Sequence, residues 1–399
     1  MAKSKSTLLM TEGNIWKIII SFAIPIFISN LFQQLYNAVD SAVVGLIDGK
    51  VAIAAVGTTA PIINLFVGLF LGLAAGVSAT VARHFASKNV ERLENAVHTG
   101  MAISFFAGLV ITIICFFISK PLLLMIKCPE DALDLADKYL KIYFLGLIPM
   151  LIYNIGSGIL QGVGDSKRPL YYLIAGGCIN IILDILLVCV IKLGVTGAAI
   201  ATVMSQVVAA ILVLVKLCKT KEVYKYHFKK TRFDKNELMP ILKMGIPAGL
   251  QSAFFAISNL IIQGFINIFG SSVVAGISAY SKIDAFLYLP TAALGITTMT
   301  FASQNFAVQD VKRAKKGMNI ALILSISVTA VLIGIDFIVS KPIISAITQN
   351  DPEAVKAGLR MMLFLAPFTI VYAFIEVYSG FIKAAGATIT FLVRATFSS

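Results

Sequence analysis

The chain is 399 residues long, 58% hydrophobic and only 13% charged, with a formal net charge of +13. A soluble chain of this size would carry roughly 25% charged residues, so the composition excludes a water-soluble globular protein and indicates an integral membrane one. The excess of Lys and Arg lies in the connections between apolar runs, where membrane topology accounts for it, and no nucleic-acid partner is expected.

A membrane-crossing helix needs about 20 apolar residues, and apolarity along the chain predicts ten, at 14–45, 51–82, 94–119, 135–162, 169–191, 195–217, 238–269, 273–304, 315–339 and 355–384. The segment before them, Met1 to Thr11, leads into a run too long for a signal-peptide core and has no small-residue cleavage pattern, so it reads as uncleaved. The first, second, seventh and eighth runs contain Pro25, Pro61, Pro247 and Pro290 and are expected to kink or tilt. Lys3 and Lys5, the Arg83-Lys88-Arg92 turn, Lys167-Arg168, the tract from Lys216 to Lys235 and the Lys312-to-Lys316 turn all fall on one side. That bias predicts a multi-pass protein of the cell (inner) membrane with a cytoplasmic N-terminus. Cys115, Cys128, Cys178, Cys189 and Cys218 show no CxxC spacing, which argues against a disulfide framework or a metal site, and no cofactor is expected.

The chain also repeats itself. Phe85-Ala86-Ser87-Lys88-Asn89-Val90-Glu91-Arg92 returns 221 positions later as Phe306-Ala307-Val308-Gln309-Asp310-Val311-Lys312-Arg313. Pro25 answers Pro247, and the segment with Pro149 and Tyr153 answers the one with Pro367 and Tyr372. Six helices in the first copy is an even number, so the second copy enters from the same side, and the two are parallel repeats. The predicted fold is all-α: two parallel six-helix repeats. The N-terminal lobe is 1–217, a basic cytoplasmic linker is 218–237 and the C-terminal lobe is 238–399. A complete second copy would reach to about position 438, so this lobe is read as four full helices and part of a fifth.

Polar side chains inside such helices are costly and mark function by default. In the first helix Asn30, Gln33, Asn37 and Asp40, with Tyr36 alongside, form one stripe at helical spacing. A single capping aspartate at the helix end would explain Asp40 alone; four polar residues on one face indicate a cavity wall. Asn180 and Asp184, one turn apart in the fifth helix, project from the same side. Their amide and carboxylate can share a proton or, with Asp40, supply oxygens to Na⁺; hydrogen bonding to a neighbouring helix is the structural alternative. The seventh helix has a matching polar face, Ser252, Asn259, Gln263 and Asn267, with Gln251 a further cavity-lining candidate, but no acid. Lys282, Asp284, Glu376 and Arg394 are charges in the second copy that either line the cavity, as Asp284 and Glu376 would, or neutralise one another. Gly68, Gly72 and Gly76, spaced by four, suit close helix packing.

An enzyme is not expected. Gly162-Val163-Gly164-Asp165 matches the GxGD of intramembrane aspartyl proteases, but Ser166-Lys167-Arg168-Pro169 follows at once as a turn, and a Tyr-Asp partner sequence is absent.

Leu35-Tyr36-Asn37-Ala38-Val39-Asp40 with Val44-Gly45, Ala54-Ala55-Val56-Gly57, Gln161-Gly162-Val163-Gly164-Asp165 and Gln304-Asn305 resemble the multidrug and toxic compound extrusion (MATE) family of secondary transporters. The resemblance spans essentially the whole chain. It implies two six-helix lobes facing a central cleft and export of amphipathic, often cationic drugs in exchange for H⁺ or Na⁺. It also implies a cation-coupling cluster on Asp40, Asn180, Asp184 and Thr202. The expected partners are small-molecule substrates and membrane lipid, with the chain acting as a monomer. Two alternatives stay open: a flippase of lipid-linked precursors or exporter of endogenous metabolites on a related fold, and an inactive truncated transporter.

Overall fold

The computed structural model describes residues 8–126 and 128–386; within them the side chains of 37, 38, 40–54, 131, 256, 260, 263, 264, 267 and 271 are outside the description. The described residues form helices and turns with no strand. In chain order the helices are α1 (Ile15–Ala86), α2 (Val90–Met125), α3 (Glu130–Leu145), α4 (Leu147–Gly162), α5 (Lys167–Asp184), α6 (Gly194–Lys219), α7 (Lys235–Ile266), α8 (Ser271–Ala307), α9 (Val311–Ile347) and α10 (Pro352–Ala385).

Nine of the described helical stretches are long and apolar enough to cross a membrane, and ten if the bent pair α3–α4 counts as one. The ten predicted spans are thus present, with α1 supplying two of them, Ile15–Tyr36 and Ala55–Ala86. The run predicted as one helix over 135–162 instead bends by 45° between Ala132–Leu145 and Leu147–Gly162. Pro149 has no N–H to give the Leu145 carbonyl, so the helical ladder cannot run through. Lipid explains the outward faces, where Phe117, Ile338 and Phe364 are 77%, 76% and 72% exposed.

The sequence repeat is a repeat of structure. Lys88 and Gln309 both adopt the left-handed conformation, at φ 57° and 60°. Asn89 then caps α2 by accepting from the Arg92 N–H at 3.1 Å, and Asp310 caps α9 by accepting from the Arg313 N–H at 2.9 Å. Gly158 lies against the Ala74 carbonyl, and its counterpart Gly380 lies against the Gly295 carbonyl. Gly164 and Gly386 close the corresponding turns at φ 87° and 82°, a conformation that favours glycine.

The chain divides into two compact units, Met1–Leu9 with Ile28–Ala253, and Met10–Phe27 with Phe254–Ser399. This division cuts across the 1–217 and 238–399 halves, because the first part of α1 belongs to the second unit and the first part of α7 to the first. In the first unit Gly72 meets the backbone of Gly245 and Gly249, and Gly76 meets the Ile241 carbonyl, so α7 sits backbone to backbone on the second span of α1. The small residues make this approach available at no steric cost. Glu237, 1% exposed at the start of α7, takes Nε2 of His84 at 2.7 Å and Arg92 at 3.6 Å. In the second unit the turn that leads into α1 docks on the turn between α8 and α9. Met10 donates its N–H to Gln304 Oε1 at 2.8 Å, and Arg313 donates to the carbonyls of Met10 and Gly13 at 3.2 and 2.9 Å.

Candidate ion-coupling site

α5 begins with Lys167-Arg168-Pro169, and proline is tolerated in that first turn because its N–H would have no intrahelical partner. The turn before it is locked by Asp165, 2% exposed and bonded to Arg168 Nη1 at 2.6 Å. Asp165 is therefore a structural ion pair and not half of a protease dyad. About three to five turns into the helix come Gly177, Asn180 and Asp184, which share one face at i, i+3 and i+7. Asn180 is 1% exposed and Asp184 fully buried. Immediately after Asp184 the helix widens into a π segment, Ile185–Val190, with the Ile191 N–H reaching the Leu186 carbonyl at 2.9 Å. Such i→i+5 turns are concentrated at functional sites because they redirect a helix face and leave backbone carbonyls to other partners.

The face with Asn180 and Asp184 meets the first span. The Phe32 ring occupies the place where a Cβ on Gly177 would stand, so only glycine there lets α1 come this close. Phe32 contacts Tyr36 one turn on, at 6.2 Å between ring centres, and Tyr36 is buried and within electrostatic reach of Tyr153 on α4. The Tyr153 hydroxyl donates to the Pro169 carbonyl at 3.1 Å, tying α4 to the foot of α5. The side chains of Asp40, Asn37 and Gln263 lie outside the described residues, as does Arg394.

The third wall is α6. Gly176 lies against the Ser205 carbonyl and Leu187 against Gly197, which makes α5 and α6 antiparallel neighbours and brings Thr202 to about the level of Asn180. Thr202, Ser205 and Ala209 share the α6 face that packs on α5. The Thr202 hydroxyl donates to the Ala198 carbonyl at 3.0 Å, which leaves its oxygen as an acceptor. Neither atom of the Asn180 amide has a hydrogen-bond partner among the described residues, although both are fully enclosed. Leaving a buried polar group unmatched costs about 1–3 kcal/mol, so this amide is kept in place against a stability cost, beside a buried carboxylate.

The other candidates disperse. Gln33 and Gln251 are half-buried and Asn259 is exposed. In the second unit Asp284 is approached by the Tyr288 and Tyr280 hydroxyls and not by Lys282, which is exposed. Glu376 lies against Gly295 and interacts with Tyr372 and Lys383. Asp284 thus meets tyrosines, and Glu376 meets both a tyrosine and the Lys383 ammonium. Tyr288 and Tyr372 pack edge to face at 4.7 Å, joining the two groups. Sequence reasoning passed over Asp336 of α9, 2% exposed, which takes the hydroxyls of Ser340 and, at 3.3 Å, Tyr280. Its signal was available: a lone acid inside the ninth apolar run with a serine one turn on. Among the described residues no group of three His, Cys, Asp or Glu side chains is arranged to hold a metal.

A family model described as MatE matches residues 25–186 and 247–399, both copies of the repeat. The chain belongs to the MatE family. Among its relatives, "Probable multidrug resistance protein YpnP" of Bacillus subtilis (strain 168) is 30% identical over 393 residues, covering 96% of this chain and 85% of that protein. "Probable multidrug resistance protein YoeA" of the same organism is 27% identical over 388 residues, covering 95% and 83%. A solved structure described as an outward-facing conformation of a multidrug resistance MATE family transporter of the MOP superfamily has the same fold, with a TM-score of 0.92 at 22% identity, covering 98% of this chain and 87% of that one. As a MatE protein the chain is a multi-pass membrane transporter, with the polar residues of α5 set in one of its two repeats.

Proposed function

We propose that the chain exports amphipathic, often cationic small molecules across the cell membrane by alternating access, driven by inward movement of H⁺ or Na⁺. The observation that carries this reading is the enclosed Asn180–Asp184 pair, on a face that abuts Phe32 of the first span and stands level with Thr202. The relatives' names, which speak of multidrug resistance, support the substrate class. Asp40, Asn180, Asp184 and Thr202 form the coupling cluster; Gln33, Tyr36, Asn37, Gln251, Asn259, Gln263, Asp284 and Glu376 contact substrate or line its path. A coupling ion drives transport only by binding the two access states unequally. A carboxylate closed in by helices meets that condition, because loading it changes the cost of burying it. The N-terminus is cytoplasmic, the chain works as a monomer, and it needs no cofactor. The test is efflux of a cationic dye from proteoliposomes with the Na⁺ and pH gradients imposed separately. Asp184→Asn and Asp40→Asn abolish gradient-driven efflux while the protein still inserts; undiminished efflux in both variants rejects the coupling assignment, and no efflux from the unmodified chain under either gradient rejects transport itself.

A further inference from the structure

α10 is 34 residues long, or about 51 Å at 1.5 Å per residue, against a hydrocarbon core of about 30 Å. About 20 Å of it therefore lies outside the core, and the charged residues of its first turns suit the headgroup layer. Lys356 and Arg360, one turn apart and both exposed, occupy that stretch, roughly 6 and 12 Å from the helix start. Neither forms an ion pair among the described residues. The nearest acids do not neutralise them: Asp351 is engaged in capping α10, accepting the Glu353 N–H at 2.9 Å, and Glu353 stands exposed on the rim. Like charges one turn apart on a helix repel, so the pair is set up for an anion.

Two cavities, of about 470 and 440 Å³, flank this part of α10, and Lys356 and Arg360 line both. Beyond the cations the walls turn apolar, with Leu363 57% exposed on one side and Phe364 72% and Phe269 69% on the other. A single charged head with an apolar trough on each side matches one kind of ligand. We infer that Lys356 and Arg360 clamp the phosphate of an anionic phospholipid whose two acyl chains run down either side of α10, past Leu363 and Phe364. Basic clusters at helix ends recognise anionic headgroups on the same principle, and the troughs add the apolar contact that a soluble phosphate lacks.

The test is native mass spectrometry of the full chain released from nanodiscs of phosphatidylcholine doped with phosphatidylglycerol of equal chain length. The wild type retains phosphatidylglycerol over phosphatidylcholine at least about fivefold. Lys356→Gln with Arg360→Gln loses that preference, Lys356→Arg with Arg360→Lys keeps it, and Lys192→Gln, another exposed cation, leaves it unchanged. Equal retention of both lipids by the wild type, or an undiminished preference in the double glutamine variant, overturns the inference. So does displacement of the lipid by soluble glycerol phosphate at matched concentration, which would make the pair a free-anion site. If the double glutamine variant fails to insert, the wild-type preference and the glycerol phosphate competition decide the matter.

Discussion

The backbone N–H of His227 donates to Nε2 of His98 at 3.1 Å, while Nδ1 of the same ring lies 2.7 Å from the Glu94 carbonyl. A carbonyl only accepts and an N–H only donates, so His98 is held as the neutral tautomer with its proton on Nδ1. The two imidazoles stack with 6.3 Å between centres, and Lys230 bonds Glu94 at 2.7 Å. The polar linker is thereby folded onto α2, with Tyr224 and Tyr226 buried beneath it.

That arrangement makes the linker sensitive to acid. Protonating His98 puts a second N–H opposite the His227 N–H and removes the acceptor, with Glu94, His227, Lys230 and Tyr226 the titratable groups around the ring. The contact is present while the ring is neutral and is lost when the ring takes up a second proton on acidification. Hydrogen exchange at the His227 amide, corrected for intrinsic rate, should show protection at pH 8 that drops several-fold by pH 5.5, and His98→Phe should be unprotected at both. Equal protection of the wild type at both pH values refutes the coupling.

Asn180→Ala separates stability from transport. The amide makes no hydrogen bond in the described structure, and relief of its unmatched burial, about 1–3 kcal/mol, offsets the small cavity left behind, so unfolding free energy should not fall by more than about 1 kcal/mol. Ion dependence of dye efflux should nevertheless be lost, because the proposed coupling cluster would lack one oxygen. A variant that unfolds several kilocalories earlier would show that Asn180 is a structural residue.

The glycine seam between α7 and the second span of α1 should not accept a methyl group. A Cβ on Gly72 would stand 2.6 Å from the Gly245 carbonyl oxygen, and backbone atoms cannot move aside as a flexible side chain can. Gly72→Ala is expected to cost about 1–3 kcal/mol, read as a lowered melting temperature in detergent. Gly57→Ala is the control: nothing lies within 4 Å of its Cβ position, and a helical glycine replaced by alanine gains about 0.5–1 kcal/mol.

Repeat symmetry predicts matched effects at caps 221 positions apart. Asn89→Ala and Asp310→Ala each remove a side chain that accepts the third backbone N–H of its helix, at about 0.5–2 kcal/mol apiece. Thermal melts of the single and double variants should show similar, additive losses. A large loss for one and none for the other would mean that the two turns are alike in form only.

Much of this molecule is legible without coordinates. The spans and the 221-residue repeat are carried by apolarity and spacing, which the bilayer reads locally: each span satisfies its own backbone hydrogen bonds, so its existence does not wait on neighbours. The pairing of Asn180 with Asp184 is likewise a matter of one helical turn. What tertiary packing decided is everything that joins distant segments. Phe32 against Gly177, Thr202 level with Asn180, and Met10 on Gln304 and Arg313 each depend on helix rotation and register. The tyrosine contacts of Asp284 and the burial of Asp336 on Tyr280 were invisible for the same reason. Apolar periodicity says which face of a helix is buried; which neighbour buries it is fixed by close packing between surfaces that lie far apart along the chain.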